Sequence, residues 1–140
     1  MNEALYKKQK PLLNQNEIIL YEKLKSAVGD DYLLIPQVHL EKLIAPRQGS
    51  FIGKIKYAVG HISRKSVDFA IFDIKTFEPL LAIELNGESH NQQKTRLRDK
   101  DVQLHFEEAG VPLLTFQNHE QISSQEIRLI INSKLANRLG

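Results

Sequence analysis

Residues 66–87 read SVDFAIFDIKTFEPLLAIELNG, and this stretch decides the fold. It contains two runs rich in Val, Ile, Phe and Leu, SVDFAIFD (66–73) and PLLAIELNG (79–87), separated by IKTFE. Runs of this composition and length are typical of β-strands, and a short connection between them is typical of an antiparallel hairpin. The stretch therefore predicts two strands that pair with each other.

An acidic side chain interrupts each of these apolar strands. Asp68 lies in the first strand and Glu84 in the second, and a carboxylate among core neighbours has to be paired, protonated or bound to a metal ion. If the hairpin is centred on Thr76, the two acids lie at equal distances along the chain from its centre and face each other across the strands. Like charges in such a pair, with Cβ atoms about 4.5 to 5.5 Å apart, destabilise a sheet unless a cation lies between them. The pair predicts a divalent-metal site, provided that the register does not shift by one residue.

Two further side chains extend this candidate site. Asn86 lies two residues after Glu84, so strand alternation puts it on the same face, where its amide oxygen could be a further metal ligand. His90 follows the strand and could bind a water molecule or accept a proton. Each also has a simpler interpretation, because Asn-Gly is a common turn dipeptide and a loop histidine is more often an exposed surface residue.

Helices and strands are predicted on both sides of the hairpin. A helix begins at Asn14 or Asn16 and ends at Gly29, and YLLIPQVHL (32–40) predicts a strand with Pro36 at an edge or a bulge. The apolar stripe predicted for this helix consists of Ile18, Ile19, Leu24 and Val28. Residues 46–65 show little periodicity.

The second half of the chain predicts helix, strand and helix. A charged amphipathic helix runs from Gln92 to Gly110 with Val102, Phe106 and Ala109 as apolar positions, and VPLLTFQ (111–117) is a short strand. A final helix begins near Ser123 or Ser124, and Glu126 can complete a capping box. Its apolar side is predicted to consist of Ile127, Ile130, Ile131 and Leu135.

Composition limits the class of protein. The chain has 140 residues, of which 41% are hydrophobic and 26% charged, as in an ordinary soluble domain that can bury a core. It has no cysteine, which excludes thiolate zinc sites, cysteine nucleophiles and disulfides. Neither a signal peptide nor an apolar run of about 20 residues is present. We expect a soluble, cytoplasmic protein without membrane contact, in which residues 1–13 are a flexible lead-in and residues 14–140 form one domain.

The order of these motifs resembles a known superfamily. VDFAIFD, LLAIELNGESH and RLRDKDVQLHFEEAGVPLLTF are similar to the V-D-F strand, the E-x-D-G-x-x-H element, the R-D pair and the A-G-[IV]-P-[LV] strand entry of PD-(D/E)XK nucleases. The chain most resembles an uncharacterised bacterial domain family related to the very-short-patch-repair endonucleases. The resemblance spans about residues 14–117, and Glu17 in the first helix corresponds to an acidic position of that family.

This resemblance implies both a fold and an activity. The fold is restriction-endonuclease-like α/β, with a central mixed sheet of four or five strands flanked by helices. The activity is hydrolysis of DNA phosphodiester bonds, as an endonuclease or nickase, with Mg²⁺ or Mn²⁺ as cofactor. In this family pattern Asp68 and Glu84 hold the metal, Glu17 adds a carboxylate, and Asn86 and His90 belong to the catalytic site.

One position departs from the family pattern. The superfamily has a lysine two residues after the second acid and the nearer relatives have an aspartate, but this chain has Asn86. Either Lys65, Lys94 or His90 takes over the role of the lysine, or the protein is a catalytically impaired DNA-binding module of the nuclease fold.

Basic residues flank the acidic pair in sequence. A run of charges is usually only a solvated face, but contacts to DNA phosphates need cations on both sides of the metal. The residues predicted to bind DNA are Lys54, Lys56, Arg64, Lys65, Lys94, Arg96 and Arg98. Beyond DNA, a second copy of the chain, a helicase, a methylase or a topoisomerase is left open as a partner.

The main rival to the metal site is a buried ion pair. Glu84 could pair with Arg98 or Lys65, and Glu17 at a helix start is favoured by the helix dipole in any case. The domain would then serve protein interaction or assembly rather than catalysis.

Overall fold

Four strands form one open sheet in the computed structural model, which describes residues 4–47, 64–86, 100–117 and 121–136. The strands are β1 (Tyr32–His39), β2 (Ser66–Asp73), β3 (Pro79–Asn86) and β4 (Leu113–Gln117), and they lie in this order across the sheet. β1, β2 and β3 are antiparallel to their neighbours, whereas β4 is parallel to β3. The predicted α/β fold with a mixed sheet is confirmed, with four strands in the described part of the chain.

Three α-helices flank this sheet in the described ranges. They are α1 (Gln15–Val28), α2 (Lys100–Ala109) and α3 (Ser124–Ala136), and a 3₁₀ turn, Leu40–Lys42, follows β1. α1 and α3 pack together on one face, over Phe69, Ile71 and Ile83. α2 covers the other face, where Val102 and Phe106 pack against the small residues Ala70 and Ala82. None of the helices described is long and apolar enough to span a bilayer.

The register between β2 and β3 is the predicted one near the two acids. Three pairs of residues lie symmetrically about Thr76: Phe69–Ile83, Ala70–Ala82 and Ile71–Leu81. Closer to the turn, the register shifts between Ile71 and Phe72, so that Phe72 pairs with Pro79. Both strands are central and buried on both faces, which is why their sequences are almost continuously apolar.

β1 is an edge strand, and this position explains its proline. Pro36 has no N–H to donate to a neighbouring strand, so it is tolerated where only one side of the strand is paired. The pairing of β1 with β2 keeps one register from Tyr32 to His39. The prediction of an edge position for Pro36 is confirmed.

α1 has the predicted ends but a different buried face. Asn14 is the N-cap, its side chain accepts the Glu17 N–H at 2.8 Å, and Gly29 ends the helix with a φ of 61°. The predicted stripe is wrong at Ile19, which is 45% exposed, because the face that meets the sheet is centred on Leu20 and Leu24. The capping box at Asn14 therefore sets the start of the helix, and the sheet decides which side is buried.

The other two helices follow their predictions with one exception each. Ser123 caps α3, since its hydroxyl accepts the Glu126 N–H at 3.1 Å. In α2, Ala109 is exposed rather than buried, because it lies in the last turn, directly before Gly110 leaves the helix with a φ of 77°. Ile130 of α3 is only partly buried. Residues 92–99, where α2 was predicted to begin, lie outside the described residues.

The turn between β2 and β3 is fixed by a carboxylate. Oδ1 of Asp73 accepts the backbone N–H groups of Lys75 at 2.8 Å and of Thr76 at 2.9 Å. The hydrogen bonds from the Thr76 and Lys75 backbone hold the pKa of Asp73 below its ordinary value of 3.8. This turn therefore favours the charged form of Asp73.

We predict that Asn14→Ala lowers the free energy of unfolding by about 1 kcal/mol, because both hydrogen bonds of the capping box lose their geometry. Urea denaturation followed by circular dichroism measures the effect. Asn16→Ala is the matched control, since Asn16 is exposed inside the same helix. Equal midpoints for the two variants would contradict the assignment of the cap.

The stabilising effect of the Asp73 charge should depend on pH. Because the pKa of Asp73 is lowered in the folded protein, its charge stabilises the fold above the ordinary value of 3.8 and stops doing so as the pH falls through the lowered pKa. Asp73→Asn should therefore destabilise the protein at neutral pH and have little effect at strongly acidic pH. Urea midpoints of both proteins across this range test the sign, with Asp30→Asn as an exposed control at the same end of the sheet.

Candidate functional site

Two buried carboxylates lie one step beyond the end of the ladder between the central strands. Asp68 on β2 is 5% exposed and Glu84 on β3 is 3% exposed. The ladder ends at the pair Phe69–Ile83, and Asp68 and Glu84 are the next residues of the two strands in the same register. Residues that continue an antiparallel register in this way share a face of the sheet, so the two carboxylates belong to the same face.

Asp68 is tied to the neighbouring strand by its side chain. The Leu85 N–H donates to Oδ2 of Asp68 at 2.7 Å, a short bond of the kind that a charged acceptor makes. This bond fixes the orientation of the carboxylate and directs it toward β3. At this end of the hairpin, the acceptor for the Leu85 N–H is thus the Asp68 side chain and not a backbone carbonyl of β2.

A row of polar side chains crosses the sheet at the level of the acids. Gln37 lies between two residues of β1 that pair with β2 on either side of Asp68, so it stands across from Asp68. On the other side, Glu84 pairs with Thr115 of β4. We call these four residues, Gln37, Asp68, Glu84 and Thr115, the polar row.

Asn86 and Gln117 continue the polar surface one step beyond this row. Asn86 is 8% exposed and pairs with Gln117 on β4. Strand alternation places Asn86 on the same face as Glu84, as the sequence predicts. The amide groups of Asn86 and Gln117 therefore lie one step along the strands from the acids.

Gln37 was not predicted to belong to the site. Its backbone has a φ of 55°, a left-handed conformation that is rare for a residue with a side chain and costs roughly 1 kcal/mol or more. Its Nε2 lies 3.5 Å from Oε2 of Glu17, the outer limit of a hydrogen bond. The only sequence signal is a polar residue inside the apolar run of β1, and such a residue on an edge strand usually faces solvent.

Glu17 has a structural role in this protein. The residue is buried, with 6% of its surface exposed. Its Oε1 accepts the Asn14 N–H at 2.8 Å, and its Oε2 lies 3.5 Å from Nε2 of Gln37. Within the part of the chain that is described, no three His, Asp or Glu side chains lie close enough together to hold a metal ion. The predicted set of three carboxylates is therefore not assembled here, and a metal site would depend on Asp68 and Glu84.

Only two of the predicted DNA-binding residues lie among those described. Arg64 is exposed with a φ of 65°, and Lys65 is partly buried and accepts the Leu40 N–H at its carbonyl, 2.9 Å away. Both directly precede β2, at the end of the sheet that carries Asp68. The other predicted site residues lie outside the described residues: His90, Lys54, Lys56, Lys94, Arg96 and Arg98.

Exposed charges differ between the two ends of the sheet. Near the acids, the described charged residues that border β1 and β2 are mainly basic: Lys42, Arg64 and Lys65, with Glu41 as the exception. At the end with the β2–β3 turn they are mainly acidic: Asp30, Asp31, Asp73 and Glu78, with Lys75 as the exception. An anionic ligand would therefore be drawn to the end that carries the buried acids.

The chain belongs to the family described as "Protein of unknown function (DUF2726)", whose model matches residues 9–135. It is also similar to an uncharacterized protein from Haemophilus influenzae, with 34% identity over 114 residues, or 79% of this chain. The chain spans about half of that relative, since the matched region covers 55% of it. No solved structure matches the chain.

We predict that Mn²⁺ raises the midpoint of thermal unfolding of the wild type and that Glu84→Gln reduces this shift, because a ligand that binds only the folded state stabilises it and the substitution removes a carboxylate from the candidate site. Thermal unfolding with Mn²⁺ and with EDTA measures the shift, and Glu78→Gln on the exposed turn is the matched control. The same shift in the wild type and in Glu84→Gln would contradict the prediction.

Proposed function

We propose that this chain is a metal-dependent nuclease that hydrolyses DNA phosphodiester bonds, as an endonuclease or a nickase. The observation that supports this proposal most is that two buried acids, Asp68 and Glu84, follow directly on the last pair of the β2–β3 ladder and belong to the same face of the sheet. One or two carboxylates are the protein ligands that usually hold Mg²⁺ in enzymes.

The residues at this place suit Mg²⁺ or Mn²⁺. Asp68 and Glu84 would hold the ion, and the amide oxygen of Asn86 is a further hard donor on the same face. Mg²⁺ in enzymes is usually held by one or two carboxylates, with water and substrate phosphate as the other ligands. Three protein carboxylates are therefore not required, and Glu17 is left to its role in the capping box.

A bound Mg²⁺ supplies two things to phosphodiester hydrolysis: a water molecule of lowered pKa and a positive charge beside the phosphate. The residues of the chain would hold the ligands of the ion in position. The Leu85 N–H holds the Asp68 carboxylate in one orientation, and the central strands keep both acids in place before substrate arrives. Arg64 and Lys65, which directly precede β2, are the described cations nearest in sequence to Asp68 and could contact a phosphate there.

Asn86 favours a second candidate function. The residue is neutral where the superfamily pattern has a lysine, so the domain could bind DNA without cleaving it. Such a module would show binding that weakens steeply with salt, and no turnover with any divalent cation.

A second copy of the chain or a helicase, methylase or topoisomerase partner stays a prediction. A reducing compartment such as the cytoplasm suits a chain without cysteine.

Incubation of the protein with supercoiled plasmid and Mg²⁺ or Mn²⁺ should yield nicked or linear DNA. Asp68→Ala and Glu84→Ala should each reduce the cleavage rate by about 100-fold or more, because each removes a ligand of the cation that stabilises transition-state charge. Glu78→Ala, which removes an exposed acid at the far end of the sheet, should leave the rate unchanged.

The same assay separates the two candidate functions. Cleavage by the wild type that disappears in Asp68→Ala supports the nuclease. The binding module is supported if the wild type binds DNA in a salt-sensitive way without cleaving it and Asn86→Lys does cleave it. The substitution restores the charge that the superfamily pattern has at this position. Equal cleavage by wild type and Asp68→Ala would overturn the assignment of the site.

A further inference from the structure

Residues 4–13, which we call the lead-in segment, run along the outside of the domain. The segment contains no helix or strand, and every residue from Ala4 to Leu12 is exposed. Leu5 is 92% exposed and Tyr6 is 90% exposed, so even its large apolar side chains are not used by the core. Only Leu13, at the end of the segment, packs against the core, so residues 4–12 have no packing role.

The charged residues of the lead-in segment are all basic. They are Lys7, Lys8 and Lys10, and Glu3, the one acid among residues 1–13, precedes the segment; the whole chain has a net charge of only +2. Acids alternate with bases on an ordinary solvated surface, and their absence here leaves a concentrated positive charge. Such a segment attracts polyanions.

The lead-in segment joins the domain at the end that carries the buried acids. It leads into Asn14, whose N–H is bonded to Glu17, and Glu17 faces Gln37, the residue across from Asp68. Arg64, which is exposed, and Lys65, which is partly buried, lie at this same end of the sheet. The lead-in segment and the candidate site therefore lie at the same end of the sheet.

We propose that the lead-in segment binds the phosphate backbone of DNA that occupies the candidate site. This inference depends on the proposed function for the identity of the ligand. An extended chain of ten residues spans at most about 33 Å, which is enough to follow several phosphates along one strand. The three lysines neutralise about three phosphates, and Tyr6 is exposed beside them.

Salt dependence of binding tests the contact directly. The triple variant Lys7→Gln, Lys8→Gln, Lys10→Gln should reduce the slope of log Kobs against log[salt] by about 2 to 3, because each lost phosphate contact removes about 0.9 from the slope. Binding to a fluorescent duplex is measured in EDTA, which prevents cleavage. The matched control changes three exposed lysines elsewhere, Lys25, Lys75 and Lys134, and removes the same total charge. Equal slopes for the two triple variants would overturn the inference.

A small substrate separates this inference from the proposed function. Hydrolysis of bis(p-nitrophenyl) phosphate with Mn²⁺ needs the metal site but not the lead-in segment, so the lysine variant should retain it and Asp68→Ala should lose it. Intact hydrolysis with an unchanged salt slope contradicts the inference alone. A reduced slope without hydrolysis by the wild type contradicts the nuclease and supports the lead-in segment as a DNA contact. Absence of DNA binding by the wild type overturns both.

Discussion

The pairing of β2 with β3 is the constraint on which the rest of the molecule depends. Both strands are buried on both faces, so their register decides which side chains meet each layer of helices. Ala70 opposite Ala82 leaves room for α2, while Ile71 opposite Leu81 fills the space beneath α1 and α3. A shift of one residue would push large side chains against α2 and would also separate the two acids. The same packing that specifies the fold therefore brings Asp68 and Glu84 together.

Buried carboxylates are concentrated at one end of this sheet. At the turn end, Asp73 satisfies the backbone of the turn, and the left-handed backbone of Phe77, with a φ of 61°, belongs to the turn itself. The other end holds two buried carboxylates and, within a strand, the left-handed backbone of Gln37. A core made only for stability would have apolar residues and regular β conformation there. Proteins retain such local costs where binding or catalysis requires them, and this contrast is the physical reason to look for function at the polar row.

Local interactions could be predicted from the sequence, and tertiary ones could not. The hairpin, its register near the acids and the cap at Asn14 depend on residues close in the chain, so their patterns were sufficient. The exposure of Ile19 depends on the angle at which α1 meets the sheet, and the spacing of apolar residues within the helix does not determine that angle. Gln37 was missed because its left-handed backbone and its contact with Glu17 of α1, 20 residues away in sequence, are tertiary features. The capping box of Asn14 and Glu17, by contrast, is a local interaction that the spacing of the two residues indicates.

Asn86 changes the electrostatic balance of the site in a way that reaches beyond the sheet. A lysine at that position would offset part of the charge of Asp68 and Glu84, and an asparagine offsets none. Under the proposed function, a phosphate at the candidate site would need positive charge from a divalent ion and from bases outside the strands. Arg64 and Lys65, which precede β2, and the lysines of the lead-in segment lie at the end of the domain where that charge would act.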